Sequence, residues 1–235
     1  MNRGRILITG TGRGIGASLA RVCRNQGWEV IACQRTLNND ESDKKVSCDS
    51  SYHPIELDVS NEHSVQIAFE KIQREFSHVD VLVNNAGVFP EPTDAPFESL
   101  KSSWFQETMN VNLLGTFMVT RACLPLLRKS RNPRIVNISS GAACITHREG
   151  RRYCYGASKA ALNHLTRGLA NELKDQQVTV VALSPGWVRT EMGGENADLD
   201  VTEVTREMEL TISKLAQDQT GQFLDRFGKT GTYSW

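Results

Sequence analysis

The chain has 235 residues, and its 27 lysine and arginine side chains balance 27 aspartate and glutamate side chains, so the formal net charge at pH 7 is zero. An apolar fraction of 39% and a charged fraction of 23% are ordinary for a globular domain and exclude a fibrous or disordered chain. The balanced charge argues against a nucleic-acid or anionic-membrane binder, and the length predicts one domain over residues 1–235.

The cysteines and histidines show no spacing typical of disulfides or metal sites. No Cys-x-x-Cys pair occurs, which favours reduced thiols and therefore a cytoplasmic protein. No apolar run reaches the roughly 18 residues that a membrane span requires. The sequence thus predicts no metal, membrane or nucleic-acid partner; the residues concerned are cysteines 23, 33, 48, 123, 144 and 154 and histidines 53, 63, 78, 147 and 164.

Short apolar runs alternate with helical patterns along most of the chain. Most of these runs are rich in β-branched and aliphatic residues, as expected for parallel strands that are covered on both faces. The alternation predicts an α/β protein with a single-domain Rossmann fold, a doubly wound parallel sheet of about seven strands. The predicted strands are residues 5–9, 28–33, 54–59, 79–83, 134–139, 178–183 and 222–227.

Several segments between the strands have a helical or polar pattern. A first helix is expected to begin near Ile15, a second carries an apolar stripe from Val65 to Phe76 behind Ser60 as N-cap, and a third carries a stripe over 160–173. Residues 36–52 are polar and predict an exposed excursion. Residues 195–219 are helical in composition but interrupt the alternation, so we interpret them as an inserted lid.

A glycine-rich segment, Thr-Gly-Thr-Gly-Arg-Gly-Ile-Gly at 9–16, stands where the first strand turns into the first helix. Glycine lets the backbone turn tightly and approach a pyrophosphate, and the N-terminus of the helix favours the anion. The pattern predicts a dinucleotide site. The alternative is a glycine-rich structural turn that binds no ligand.

The end of the second strand indicates which dinucleotide binds. An NAD site usually has an acidic residue there to hold the ribose 2′-hydroxyl, but this chain has Cys33, Gln34 and Arg35. Arg35, with Arg13 from the glycine turn, can pair with a 2′-phosphate. The sequence therefore predicts NADP(H) in preference to NAD(H), the alternative being that both arginines are merely solvated.

Tyr155 and Lys159 stand four residues apart at the start of a helical pattern and share one face of it. A nearby ammonium is expected to lower the pKa of the phenol and make Tyr155 a usable acid or base. Ser140 ends the fifth strand, at the sheet edge where such folds bind ligands, and its hydroxyl can bond to a carbonyl oxygen. Alone, this Tyr–Lys spacing is also typical of surface pairs.

Seven motifs in order give the chain a strong resemblance to the short-chain dehydrogenase/reductase family across nearly its full length. They are TGTGRGIG at 9–16, LDV at 57–59, NNAG at 84–87, NLLG at 112–115, NISS at 137–140, YGASK at 155–159 and SPGWVRT at 184–190. Within the family, residues 184–194 and the last residues, 228–235, resemble the C-factor and sniffer-type carbonyl reductases.

This resemblance implies a role for each matching residue. Tyr155 would be the general acid/base, Ser140 would orient the carbonyl, Lys159 would hold the nicotinamide ribose, and Asn112 would hold a water molecule for proton relay. It also implies a homodimer or homotetramer. The implied cofactor-binding residues are Gly10, Arg13, Gly14, Ile15, Gly16, Arg35, Asp58, Val59, Asn85, Ala86, Gly87, Tyr155, Lys159, Pro185, Gly186, Val188 and Thr190.

Two departures from the family pattern surround the tyrosine. The interval from Ser140 to Tyr155 is about two residues longer than usual in the family, and Tyr153 fits the usual interval better. Position 157, four residues after Tyr153, is alanine, so Tyr155 is preferred and residues 146–152 should form a bulging loop. That loop is rich in basic residues, which are either solvated or receive an acidic group of the substrate: His147, Arg148, Arg151 and Arg152, together with Glu149.

The predicted function is an NADP(H)-dependent oxidoreductase that interconverts a small-molecule carbonyl, a ketone or an aldehyde, and the alcohol by hydride transfer. An alternative is a catalytically weak NADP(H)-binding regulator or redox sensor on the same fold. A sugar-nucleotide epimerase is a third possibility, but the roughly 45 residues after Thr190 leave little room for its substrate domain.

Overall fold

The computed structural model describes residues 3–37, 50–146, 150–233 and 235. Most of the predicted excursion at 36–52, with Cys48, lies outside the described residues. His147, Arg148 and Glu149 of the basic loop also lie outside them.

Seven parallel strands form one sheet in the order β3-β2-β1-β4-β5-β6-β7, which confirms the predicted fold class. The predicted boundaries differ from the observed ones by a few residues. The largest difference is at β3, which was predicted over 54–59. It begins two residues and ends three residues before the predicted bounds, at Tyr52 and Glu56. The strands are β1 Arg5–Thr9, β2 Glu29–Gln34, β3 Tyr52–Glu56, β4 Val81–Asn84, β5 Arg134–Ile138, β6 Thr179–Ser184 and β7 Phe223–Asp225.

Helices cover both faces of this sheet, as its nearly continuous apolar strands require. On one face α2, α4 and α5 pack through side chains such as Phe69, Leu126 and Ala170. On the other face α1 and α6 pack through Leu19 and Met208. The helices are α1 Gly14–Asn25, α2 Glu62–Glu75, α3 Ser102–Met109, α4 Thr116–Leu127, α5 Tyr153–Glu172 and α6 Val201–Lys214.

Two of the predicted local features are wrong. The N-cap of α2 is Asn61, whose side chain accepts a hydrogen bond from the backbone N–H of Ser64 at 3.1 Å. Ser60 instead donates through its hydroxyl to Asp58 at 2.7 Å. The segment 195–219 is not an inserted lid, because α6 is the crossover between β6 and β7 and buries Met208 and Ile212 against the sheet.

Candidate active site

The strand order reverses between β1 and β4, and the loops that follow these two strands are hydrogen-bonded to each other. The hydroxyl of Thr9 accepts bonds from the backbone N–H groups of Asn85 and Ala86, each at 3.0 Å. The side-chain amide of Asn85 donates to the backbone oxygen of Thr9 at 2.8 Å. Ligands of open α/β sheets bind in the crevice at such a reversal, so these bonds define the floor of the candidate site.

The glycine turn has the backbone geometry that a phosphate requires. Gly14 has a φ of 59°, and a Cβ on Gly16 would lie 2.2 Å from the backbone oxygen of Gly10. Arg13, the N-cap of α1, makes no side-chain bond to the helix, so its first N–H groups have no side-chain cap. Uncapped N–H groups at the positive end of a helix suit a pyrophosphate, and the turn therefore fits a dinucleotide.

The two arginines predicted to hold a 2′-phosphate are both exposed at this edge. Arg35 follows β2. Arg13 pairs with Glu191, an ion pair in which the two side chains are 75% and 73% exposed. An ion pair this exposed contributes little free energy, so Arg13 can exchange its partner at small cost.

Other predicted cofactor residues line the same edge. Asp58, after β3, accepts bonds from the backbone and the hydroxyl of Ser60. Val59 is buried and packs against Gly115 in the helical region that follows α3, where an added Cβ would lie 2.9 Å from the Val59 side chain. Ala86 and Gly87 continue the loop after β4, and Ile15 is the second residue of α1.

The loop after β6 reaches across to the glycine turn. Pro185 is buried, Gly186 has a φ of 86°, and Val188 is buried and pairs with Leu199. A Cβ built on Gly14 would lie 3.7 Å from the side chain of Thr190. The structure therefore brings every described residue that was predicted to bind the cofactor to one edge of the sheet.

Ser140, Tyr155 and Lys159 lie together at the same edge. Ser140 follows β5, is half-buried, and lies near enough to the Tyr155 side chain to lower its pKa. The Nζ atom of Lys159 lies 5.6 Å from the centroid of the Tyr155 ring and donates to the backbone oxygen of Ile138 at 2.8 Å. One hydroxyl that can donate to a carbonyl oxygen thus stands beside a phenol and an amine.

The electrostatics of this cluster depend strongly on burial. Burial raises the pKa of Tyr155 above its usual value, while the bond with Ser140 and the positive charge of Arg152 act in the opposite direction. Burial is the largest influence on this pKa in the chain without a nucleotide, and the lowering expected from Lys159 together with the nicotinamide charge stays a prediction. The Lys159 ammonium lies over the ring and bonds to Ile138, and burial lowers its own pKa to about 8.

Asn112 connects three parts of the site from a π-helical turn, Asn110–Gly115, between α3 and α4. Its side chain is fully buried and exchanges two bonds with the backbone of Val88, at 2.8 and 3.1 Å. It also donates to Ser158 at 3.0 Å, and Ser158 donates to the backbone oxygen of Tyr155 at 2.7 Å. π-Helical turns often occur at functional sites. The water relay implied for Asn112 stays a prediction.

The two candidate tyrosines have different surroundings. Tyr153 packs edge-on against Phe97, with ring centroids 5.4 Å apart. Tyr155 packs against Phe89, with centroids 5.0 Å apart, and has Ser140 beside it, which lowers the pKa of its phenol. The structure therefore places Tyr155, and not Tyr153, in the cluster.

Glu91 is a site residue that the sequence reasoning missed. It lies in the loop after β4, its side chain is buried, and its carboxylate accepts bonds from the backbone N–H groups of Cys154 and Tyr155. No motif in the sequence signals this role, because only the structure shows that α5 begins after Arg152, whose side chain does not cap the helix.

Across residues 3–37, 50–146, 150–233 and 235, no cluster of three or more histidine, cysteine, aspartate or glutamate side chains has the arrangement of a metal site. Within the same residues, every helix is too short or too polar to traverse a lipid bilayer.

Comparison with known proteins agrees with this geometry. The short chain dehydrogenase family model matches residues 5–200. The 3-oxoacyl-[acyl-carrier-protein] reductase FabG of Aquifex aeolicus is 36% identical over 192 residues, which cover 79% of this chain and 74% of that protein.

Solved structures resemble the whole chain. The carbonyl reductase Sniffer of D. melanogaster superposes with a TM-score of 0.90 at 30% identity, covering 100% of both chains. An NADPH-bound carbonyl reductase from chicken fatty liver superposes with a TM-score of 0.89 at 28% identity, covering 100% of this chain and 99% of that chain. A 3-ketoacyl-(acyl-carrier-protein) reductase from Brucella melitensis, complexed with NADH, has a TM-score of 0.82 at 26% identity over 95% and 96% of the two chains.

Proposed function

The chain belongs to the short-chain dehydrogenase/reductase family of oxidoreductases and is most like its carbonyl reductases, and on that premise we propose that it is an NADP(H)-dependent carbonyl reductase. Its substrate would be a small ketone or aldehyde, or the matching alcohol in the reverse direction. The observation that carries the proposal is the cluster of Ser140, Tyr155 and Lys159 beside a glycine turn with uncapped helical N–H groups.

The residues of the cluster divide the work of carbonyl reduction. The bound nicotinamide supplies the hydride. Ser140 donates a hydrogen bond to the carbonyl oxygen and holds it next to the Tyr155 hydroxyl, which gives that oxygen its proton. Lys159 holds the ribose hydroxyls in place.

The protonation state of Tyr155 suits carbonyl reduction. Because burial disfavours the phenolate, the phenol is protonated at neutral pH, and the protonated form is the one that can donate to a carbonyl oxygen. Alcohol oxidation needs the phenolate as base instead.

The choice of NADP(H) over NAD(H) rests on charge. Arg35 and Arg13 flank the end of β2, and no acidic residue follows that strand within residues 34–37. A guanidinium binds a 2′-phosphate through two hydrogen bonds, whereas a carboxylate would repel it. Among the structural neighbours, one is bound to NADPH and another to NADH. The preference proposed for this chain is therefore argued from Arg13 and Arg35.

We also propose that the protein is cytoplasmic and forms a homodimer or homotetramer. The five described cysteines are free thiols, which suits a reducing compartment. Phe105, Leu114 and Phe117, in and between α3 and α4, are each more than 40% exposed and offer an apolar face for a second copy. Sedimentation of the purified protein measures the assembly directly.

The function is tested by following NADPH oxidation against a panel of ketones and aldehydes. We expect turnover in the wild type, and a fall in kcat of about a thousandfold in Tyr155→Phe with unchanged NADPH binding, because only the proton donor is lost. Tyr153→Phe is the matched control and should keep wild-type activity. NADPH binding without turnover across a broad panel would instead favour the regulator.

A further inference from the structure

The helix that carries Tyr155 and Lys159 has no cap of its own. Its N-cap position is Arg152, which has a φ of 49° and makes no side-chain bond to the helix. Gly150 and Arg151, immediately before it, also have positive φ values. The first N–H groups of a helix need partners, and here the adjacent residues do not supply a capping side chain.

Glu91 supplies that cap from the loop after β4. Its side chain is 3% exposed. One carboxylate oxygen accepts from the N–H of Cys154 at 2.8 Å and the other accepts from the N–H of Tyr155 at 3.1 Å. Burying a carboxylate is costly unless it is well paired, and the positive end of a helix with two donors provides that pairing.

The thiol of Cys154 lies in the same surroundings. Burial and the neighbouring Glu91 carboxylate raise the pKa of Cys154 to about 12, so the thiol stays uncharged at neutral pH and places no second negative charge beside Glu91. Glu91 is therefore held by two backbone donors from consecutive residues of α5.

The loop that carries Glu91 also contacts the rest of the site. Phe89 packs against the ring of Tyr155, and Val88 exchanges two backbone bonds with Asn112. The four consecutive residues 88–91 thus contact Asn112, the ring of Tyr155 and the first turn of α5 in succession.

We propose that Glu91 is a positioning residue for the reaction: by capping α5 from the loop after β4, it holds the first turn of the helix where the Tyr155 hydroxyl meets Ser140. This inference rests on the proposed carbonyl reductase function for its kinetic consequence. Its structural consequence, the placement of Tyr155, can be measured without turnover.

Removing the carboxylate leaves two backbone N–H groups without their buried acceptor, so the first turn of α5 loosens. Glu91→Ala should lower kcat by about ten- to hundredfold, since a displaced proton donor costs rate steeply. The Kd for NADPH should change much less than kcat, because the glycine turn lies on α1 and Lys159 lies one helical turn beyond the loosened residues. Glu91→Gln keeps one acceptor oxygen but places an NH₂ group against the second N–H. Its kcat should therefore lie between the kcat of the wild type and that of Glu91→Ala.

Asp200→Ala is the matched control. Asp200 also caps a helix with a carboxylate, as the exposed N-cap residue of α6: its Oδ1 accepts from the N–H groups of Thr202 at 2.8 Å and Glu203 at 3.2 Å, and α6 packs on the other face of the sheet. A general loss of stability would lower Tm in both variants, but kcat should fall only in the Glu91 variants.

The pKa of the Tyr155 phenol is a further measurement. It would not change if Glu91 contributed only to overall stability. The difference in ultraviolet titration between a protein and its Tyr155→Phe partner isolates the Tyr155 phenol. Because burial is the largest influence on this pKa and raises it, loosening the turn should bring it down towards the ordinary value of about 10.

The outcomes separate the two proposals. If wild type fails to turn over any carbonyl but the titration of Tyr155 shifts in Glu91→Ala, the enzyme proposal fails and the positioning role stands. A wild-type titration and kcat in Glu91→Ala, or an equal kcat loss in Asp200→Ala, would overturn the positioning role. Should Glu91→Ala not fold, Glu91→Gln carries both measurements.

Discussion

The cofactor side and the catalytic side of the crevice are built in different ways. The phosphate-binding part of the cofactor side is local backbone: residues 9–16 are contiguous, and Gly14 and Gly16 determine their path. The catalytic side is assembled from side chains far apart in the chain, with Glu91 reaching α5 across more than sixty residues. A site formed by contiguous backbone can be predicted from a sequence motif, whereas a site formed by contacts between distant residues can be recognised only in the structure.

Gly16→Ala is expected to break the cofactor side most strongly. The added Cβ would lie 2.2 Å from the Gly10 oxygen and 2.4 Å from the Asn85 amide, so the turn must shift. Overpacking of this kind costs about 1–3 kcal/mol, and we expect NADPH to bind about ten- to hundredfold more weakly in a fluorescence titration.

Gly168→Ala is the matched control for that variant. Gly168 lies in α5, and a Cβ there would meet nothing within 4 Å. The same substitution should stabilise the protein by about 0.5–1 kcal/mol because alanine is the better helix former. NADPH affinity equal in Gly16→Ala and wild type would show that the turn does not contact the cofactor.

Arg35→Asp is expected to have the next largest effect on cofactor binding. It changes the charge at the end of β2 and leaves the backbone of the glycine turn intact. A carboxylate at the end of β2 should repel a 2′-phosphate and accept a ribose hydroxyl. We expect KM for NADPH to rise about tenfold or more and KM for NADH to fall, measured with one carbonyl substrate. Arg21→Asp, an equal charge change in the middle of α1, should leave both values near wild type. An unchanged cofactor preference in Arg35→Asp would reject the assignment of NADP(H).

Arg152→Ala is the smallest change and acts on the catalytic side. The Arg152 charge lowers the pKa of Tyr155 against the effect of burial, so its removal should raise that pKa further. Since reduction requires the protonated phenol, the alkaline limb of kcat/KM should move to higher pH, by less than about one unit for an exposed charge. Arg152→Lys keeps the charge and should keep the wild-type profile.

The same two variants also test substrate recognition. Comparing KM for acidic and neutral carbonyls in Arg152→Ala and Arg152→Lys shows whether this arginine receives an acidic group of the substrate.

The strands and the cofactor side could be predicted from the sequence because their signals are local. Continuous apolar runs located β1 and β5 closely, and the motif at 9–16 located the glycine turn. The segment 195–219 was misassigned because the polar loop before α6 and the three-residue β7 obscured an ordinary crossover.

The catalytic side could be predicted only in part. The spacing of Tyr155 and Lys159 located both residues correctly, but it could not show that Lys159 bonds to Ile138 or that burial dominates the pKa of the phenol. Glu91 had no motif at all. Its role depends on where the loop after β4 ends relative to α5, which is a property of packing between distant segments.

The π-helical turn at Asn110–Gly115 makes the spacing of this long helical region sensitive to insertions and deletions. A helix rotates by about 100° per residue, so removing one residue from the turn would swing either Asn112 or the buried face of α4 out of alignment. Conservative substitutions in this segment preserve that phase, whereas a change in its length does not. Homologous or engineered sequences that keep the site should therefore vary here in residue identity while holding the number of residues constant.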